Sequence, residues 1–141
     1  MLRVPTLKDF EGRWSLTRVI EDRKAGKNGS LAGEASFSPD GPGGLIYFEK
    51  GKLTYAQTPA MMATRSYLWK AVPGGIEVSF EDNRPFHTID SDRLMPDADH
   101  QCDPDWYHVS YDFTKFPKWS SIWRVKGPAK DYRMVTEYRR S

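Results

Sequence analysis

The stretch "RWSLTRVIED", Arg13 to Asp22, puts Trp14, Leu16, Arg18 and Ile20 on one side of an extended chain. Arg13, Ser15, Thr17, Val19 and Glu21 fall on the other side. A period of two sustained this long is a half-buried strand, and the large apolar residues mark the Trp14 side as the inner one. Arg18 then points inward with them. The same signature recurs along the chain, in "LAGEASFS" (31–38), "GLIYFEK" (44–50), "KLTYAQT" (52–58), "MMATRSYLWKAV" (61–72) and "GIEVSFED" (75–82). It continues in "PFHTID" (85–90), "DWYHVSYDFT" (105–114), "WSSIWRVKG" (119–127) and "DYRMVTEYRR" (131–140).

Turn chemistry separates these runs. "KNGS" (27–30), "SPDGPGG" (38–44), "EKGK" (49–52), "VPGG" (72–75) and "KGPAKD" (126–131) supply the glycine, proline and Asx residues of tight connections. Short strands joined this way predict an antiparallel meander, and closing the meander into a barrel removes its edges. One short helix is predicted at "TLKDFEG", with Thr6 as N-cap and Gly12 as terminator. "SDRLMPDADHQCDPD" (91–105) is too rich in Pro and Asp for a strand, and reads as a lid over one barrel mouth or a surface loop. The expected fold is therefore all-β: a single antiparallel meander β-barrel of eight to ten strands over residues 1–141, one domain, with an N-terminal helical plug.

Composition agrees with a folded domain. The hydrophobic fraction is only 38%, but 5 Trp, 7 Tyr and 7 Phe supply large rings that fill a core with few residues. The 21 basic and 19 acidic residues are interspersed and leave a net charge of +2, without the basic stripe that binds phosphate backbones, so no nucleic-acid partner is expected. A single cysteine makes no intrachain disulfide, "MLRVPTLKDFEGRW" has no apolar leader core, and no segment matches a membrane span. These features point to a cytoplasmic protein without a membrane partner.

Sorting the other strands by period two gives an unusual interior. Arg65, Tyr67 and Trp69 share one face, and so do Tyr107, Val109, Tyr111 and Phe113. An inward arginine must find a carboxylate or an aromatic face, because an isolated charge in low dielectric is very costly. Two arginines among several phenols form a polar cavity suited to an anionic or oxygen-rich small molecule. Arg18 and Arg65 would meet its anionic group, Tyr67, Trp69, Tyr107 and Tyr111 would line the walls, and His87 would supply a directional hydrogen bond.

All three histidines and the lone cysteine lie between Pro85 and Phe113. His87, His100, Cys102 and Asp105 form a nitrogen–sulfur–oxygen set of the kind zinc takes, although no Cys-x-x-Cys pair accompanies them. The competing reading is a loop fastened by local hydrogen bonds, with Cys102 as a small buried hydrophobe. An inward His87 also suits general acid–base work, with Asp105 or Tyr107 as its orienting partner. A haem or metal on His87 or His100 is a variant of that alternative. His108 is expected outside, without a role. Cys102 has no feature that would lower its thiol pKa, Ser120 and Ser121 lack an elbow motif, and "GPAKDY" lacks the glycines of a phosphate loop. Met61 and Met62 would sit near a barrel mouth, as gap fillers or as an adaptable entrance.

Two family patterns enter here. Phe10, Gly12 and Trp14 in "FEGRWSLTR" resemble the Gly-x-Trp signature of lipocalins and related calycin barrels. That resemblance implies a short helix closing the barrel base above the Trp, and an arginine of the last strand stacked across it, here Arg133, Arg139 or Arg140. "EDNRPFHTID", "HQCDPDWYHVSYDF" and "WRVKGPAKDYRMVTEYRR" resemble blocks of an uncharacterised bacterial family, a domain of unknown function with a calycin-like fold. The resemblance implies the architecture and no activity. The export signal and disulfides usual in lipocalins are missing, which argues against carriage of secreted ligands.

Overall fold

In the computed structural model, which describes residues 3–56 and 58–141, ten strands form one continuous antiparallel sheet. Met1 and Leu2 of the N-terminal reading, and Gln57 of "KLTYAQT", lie outside the described residues. The strands are β1 (Gly12–Asp22), β2 (Lys27–Pro39), β3 (Gly44–Tyr55), β4 (Met61–Val72) and β5 (Gly75–Ser79). They continue as β6 (Pro85–Asp90), β7 (Asp97–Cys102), β8 (Asp105–Asp112), β9 (Trp119–Lys126) and β10 (Asp131–Arg140). Each pairs with its neighbour in sequence, β10 returns to pair with β1, and one junction carries no ladder, between β6 and β7. Those two edges lie side by side, so the barrel is nearly closed.

Three expectations are corrected. "EKGK" is not a hairpin: β3 runs straight through it and merges two predicted strands into one. Gly51 faces Gly33 across the ladder, and a Cβ on Gly33 would collide with the Lys50 carbonyl oxygen. Here glycine permits close backbone approach between paired strands, not a turn. "KNGS" belongs to β2; the turn falls earlier, where Gly26 has φ +65°. "SDRLMPDADHQCDPD" is neither lid nor plain loop, since its second half is β7, paired with β8 as a hairpin.

The alternation of β1 is fully expressed: Trp14, Leu16, Arg18 and Ile20 are all buried. At the Trp14 end, a 3-10 turn over Leu7–Phe10 replaces the expected helix. Its start is held by the Asp9 carboxylate, which accepts from the Thr6 amide at 2.7 Å. The turn drives Phe10 into the barrel base, fully buried, with ring contacts to Phe37, Trp69, Phe113, Phe116 and Trp119 at 5.2–5.7 Å. Trp14 donates its indole N–H to the Phe10 carbonyl at 2.9 Å.

Arg140 is the arginine that crosses Trp14. Its guanidinium carbon stands 3.9 Å above the ring and its Nη1 donates to the Glu11 carbonyl at 2.8 Å. Gly12, at φ +116°, leaves room for it, because a Cβ there would lie 2.8 Å from Nη1. The seam between β6 and β7 is closed by side chains. Phe86 of β6 meets His100 of β7 edge-on at 5.2 Å, and Phe80 meets the same ring at 6.1 Å.

The base is expected to carry much of the stability. Phe10→Ala should cost about 3–5 kcal/mol, the range for a large ring removed from a packed core. Arg140→Met should cost about 1–3 kcal/mol, from a charge-assisted hydrogen bond and a cation–π contact. Arg140→Lys should not restore the loss, because ammonium lacks the planar fork. Urea denaturation monitored by tryptophan fluorescence reads all three.

Candidate functional site

Moving along β1 from Trp14 toward Asp22 is moving along the barrel axis, from plug to open mouth. Halfway, the inward side chain is Arg18. Its Nη1 and Nη2 donate to the two carboxylate oxygens of Glu49 at 2.7 and 2.8 Å, and its Nε donates to Thr136 Oγ1 at 2.7 Å. Tyr47 donates to Glu49 Oε1 at 2.6 Å and pairs with the Tyr138 hydroxyl at 2.9 Å. The pair is buried at both ends. This fork satisfies the guanidinium geometry that makes a buried arginine tolerable.

The layer sits between two cavities. On the plug side is an inner chamber of about 40 Å³. Arg18, Arg65, Tyr67, Trp69, His87 and Tyr111, all expected in the site, line it. On the mouth side is a vestibule of about 300 Å³. Ile20, Leu31, Leu53, Ala63 and Met134 form its apolar wall, Arg18, Glu49 and Arg65 its floor, and Asp22 lies at its rim. The chamber has room for a few water-sized groups, far too little for a haem, whereas the vestibule reaches the lower end of ordinary ligand pockets.

Arg65 stands directly across the ladder from Glu49. Both oxygens of Glu49 are already taken by Arg18, and among the described residues no other carboxylate pairs with Arg65. Its side chain is exposed, toward the open lumen that it lines. Burial would lift the Glu49 carboxyl, yet the hydrogen bonds and charge of Arg18, then Tyr47 and the charge of Arg65, hold it below the ordinary range. The surrounding phenols stay neutral: burial pushes Tyr138 up to about 12 and raises Tyr67, Tyr47 and Tyr111.

His87 is buried in the chamber wall, where its Nε2 shares a 2.8 Å hydrogen bond with the Tyr111 hydroxyl. Neither Asp105 nor Tyr107 orients it. Asp105 is bound by Lys130 at 2.9 Å, and Tyr107 lies outside both cavity linings, edge-on to Phe86 at 5.9 Å. Burial, with the nearby charge of His100, brings the His87 pKa down to about 3. Such a weak base is poorly matched to proton abstraction near neutrality. Phe86 is buried as well as His87, against the simple alternation of "PFHTID", because a register shift opposite Val78 and Ser79 turns both inward.

The other expected ligands disperse. His100 packs into the seam, Cys102 is exposed rather than buried, and Asp105 serves Lys130. Among the described residues, no group of three His, Cys, Asp or Glu side chains is placed to hold a metal ion. His108 faces outward and pairs with Asp99 at 2.6 Å. Met61 and Met62 are exposed where β4 begins, at the vestibule end.

The strand order, the plug and the Trp14–Arg140 stack define a lipocalin-like, calycin-type barrel. The chain belongs to a family of unknown function (DUF6314), which it matches over residues 10–140. It is similar in fold to the S-type phycobiliprotein lyase of Guillardia theta, with a TM-score of 0.64 and 8% identity over 95% of this chain and 89% of that one. It is also similar to a protein of unknown function of the DUF3598 family from Nostoc punctiforme, with a TM-score of 0.62 and 9% identity over 97% of this chain and 49% of that one. The chain matches no curated protein. Among the described residues no helix is long and apolar enough to cross a membrane.

Two outcomes test the buried network. Glu49→Gln should destabilise by about 3–5 kcal/mol, because it leaves the Arg18 charge without a counterion. The double variant Arg18→Met with Glu49→Met should cost less than the two single losses summed. His87 titrates near 6.5 when unfolded and near 3 when folded, so the unfolded chain takes the proton first as pH falls. The His87 contribution to stability should therefore drop below about pH 6.5, by up to about 1.4 kcal/mol per unit, and level off near pH 3. Glu49 adds its own loss as the pH falls through the ordinary carboxylate value, where the unfolded chain takes the proton first. In His87→Gln the decline between about pH 6.5 and 5 should flatten, as read by thermal melts across that window.

Proposed function

We propose that the barrel binds a small anionic or oxygen-rich molecule, and that the molecule occupies the vestibule rather than the inner chamber. One observation carries this reading: Arg65 offers an accessible guanidinium inside a cavity of about 300 Å³, while its nearest carboxylate is forked onto Arg18. A guanidinium facing a low-dielectric wall binds an anion more strongly than the same group on a surface. Ile20, Leu31, Leu53 and Met134 then hold the apolar body of the ligand. His87, Tyr67, Trp69 and Tyr111 line the chamber beneath, which takes at most a small polar tip. The likeness to the Guillardia theta lyase supports the barrel fold and carries no chemistry. A cytoplasmic setting and a single domain are part of the proposal, the first resting on the lone Cys102.

The anionic dye 1-anilinonaphthalene-8-sulfonate tests the reading directly. Titration should give saturable fluorescence enhancement at one site per chain, and Arg65→Gln should weaken binding by about tenfold or more, the loss of one charge-assisted contact. A thermal melt of the same variant should stay close to wild type, since Arg65 supports no buried ion pair. Non-saturating enhancement, or an affinity indifferent to Arg65→Gln, overturns the assignment.

A further inference from the structure

The charge inventory of the lumen says more than that the ligand is an anion. This step rests on the vestibule reading above and names the class of molecule it takes. Below the rim, where Asp22 stands, the charged groups that line the two cavities at neutral pH are three. Arg18 and Arg65 are positive and Glu49 is negative. His87 is neutral, and so are Tyr47, Tyr67, Tyr111 and Tyr138, whose pKa values burial raises. Glu49 cancels Arg18 through the double hydrogen bond, so one positive charge is left, on Arg65.

Position adds a direction. Arg65 is on the vestibule floor, against the inner layer. The walls above it are Ile20, Leu31, Leu53, Ala63 and Met134, and the acidic group at the rim is Asp22. An anion held at the mouth would lie beside Asp22 and far from Arg65. An anion at the floor meets the one uncancelled cation and leaves its apolar part against apolar wall. A second negative charge would find no counterion, because Arg18 is committed to Glu49, and an unpaired charge in this setting is costly.

We infer that the vestibule takes an amphipathic monoanion, of which a monocarboxylate is the simplest example, with its charged end inward on Arg65 and its apolar end toward the mouth. Dianions such as phosphate monoesters are selected against by the same charge count.

Three compounds with one tail separate the alternatives: octanoate, octan-1-ol and octyl phosphate. Calorimetric titration of the intact protein at a pH of about 8 keeps the phosphate close to two charges. Octanoate should bind about tenfold or more tighter than octan-1-ol, and octyl phosphate no tighter than octanoate. Arg65→Gln should bring octanoate down to the affinity of the alcohol. Asp22→Asn should leave octanoate unchanged if the charged end is inward. Tenfold tighter binding of octyl phosphate would overturn the monoanion inference and leave the anion reading standing. Improved octanoate binding in Asp22→Asn would overturn the orientation alone. Equal binding of octanoate and octan-1-ol would remove the role of Arg65, and so both readings. If none of the three binds while circular dichroism shows folded protein, the vestibule is not a site for this class and the inference falls.

Discussion

The double hydrogen bond between Arg18 and Glu49 is the constraint around which the interior is arranged. It joins β1 to β3, Thr136 ties it to β10, and Tyr47 and Tyr138 complete the acceptors. A charge pair at this depth is weak evidence for net stability, because desolvation offsets much of the attraction. Its consequence is geometric. An apolar layer of the same volume would continue the aromatic base upward. The polar layer instead ends the base and leaves a polar floor, on which Arg65 has no carboxylate paired to it among the described residues.

The base and the floor do different work. Phe10, Trp14, Phe37, Trp69 and Trp119 form a dense aromatic block at one end, with Trp119 and Tyr138 stacked at 3.8 Å. That block packs the strand ends together at the base. Below the floor, the inner chamber is a packing remainder among bulky rings. An inward count of Tyr, His and Arg reads as a polar ligand cavity, whereas the chamber that most of these side chains line is about 40 Å³.

Much of this was legible in the sequence, because strand alternation is local and strong. Trp14, Leu16, Arg18 and Ile20 announced their face, and Arg65, Tyr67, Trp69, His87 and Tyr111 do come together on one lining. Glu49 was missed, although Leu45, Tyr47, Glu49 and Leu53 keep the period of two through Gly51. The glycine between lysines looked like a turn, since residue type alone does not distinguish a close strand approach from a reversal. β7 was missed because Asp97, Asp99 and Gln101 face solvent there on an edge strand, and polarity hid the pairing with β8. The double inward turn of Phe86 and His87 depends on a register shift, which appears only once β5 and β6 are paired. The choice among Arg133, Arg139 and Arg140 likewise required the register between β1 and β10, which sets Arg140 opposite Trp14.

The junction of β6 and β7 makes the barrel a split ring rather than a closed hoop. Around the rest of the circumference, any change of girth must break or shift a ladder of backbone hydrogen bonds. At this junction, girth is held by ring-to-ring contacts of Phe80, Phe86 and His100, beside a hydrogen bond shared by His87 and the Tyr111 hydroxyl. Contacts of that kind slide at far smaller cost than ladder bonds break. The wall thus has a joint of side chains rather than of ladder bonds, placed beside the chamber, where a change of girth would leave every strand pair intact.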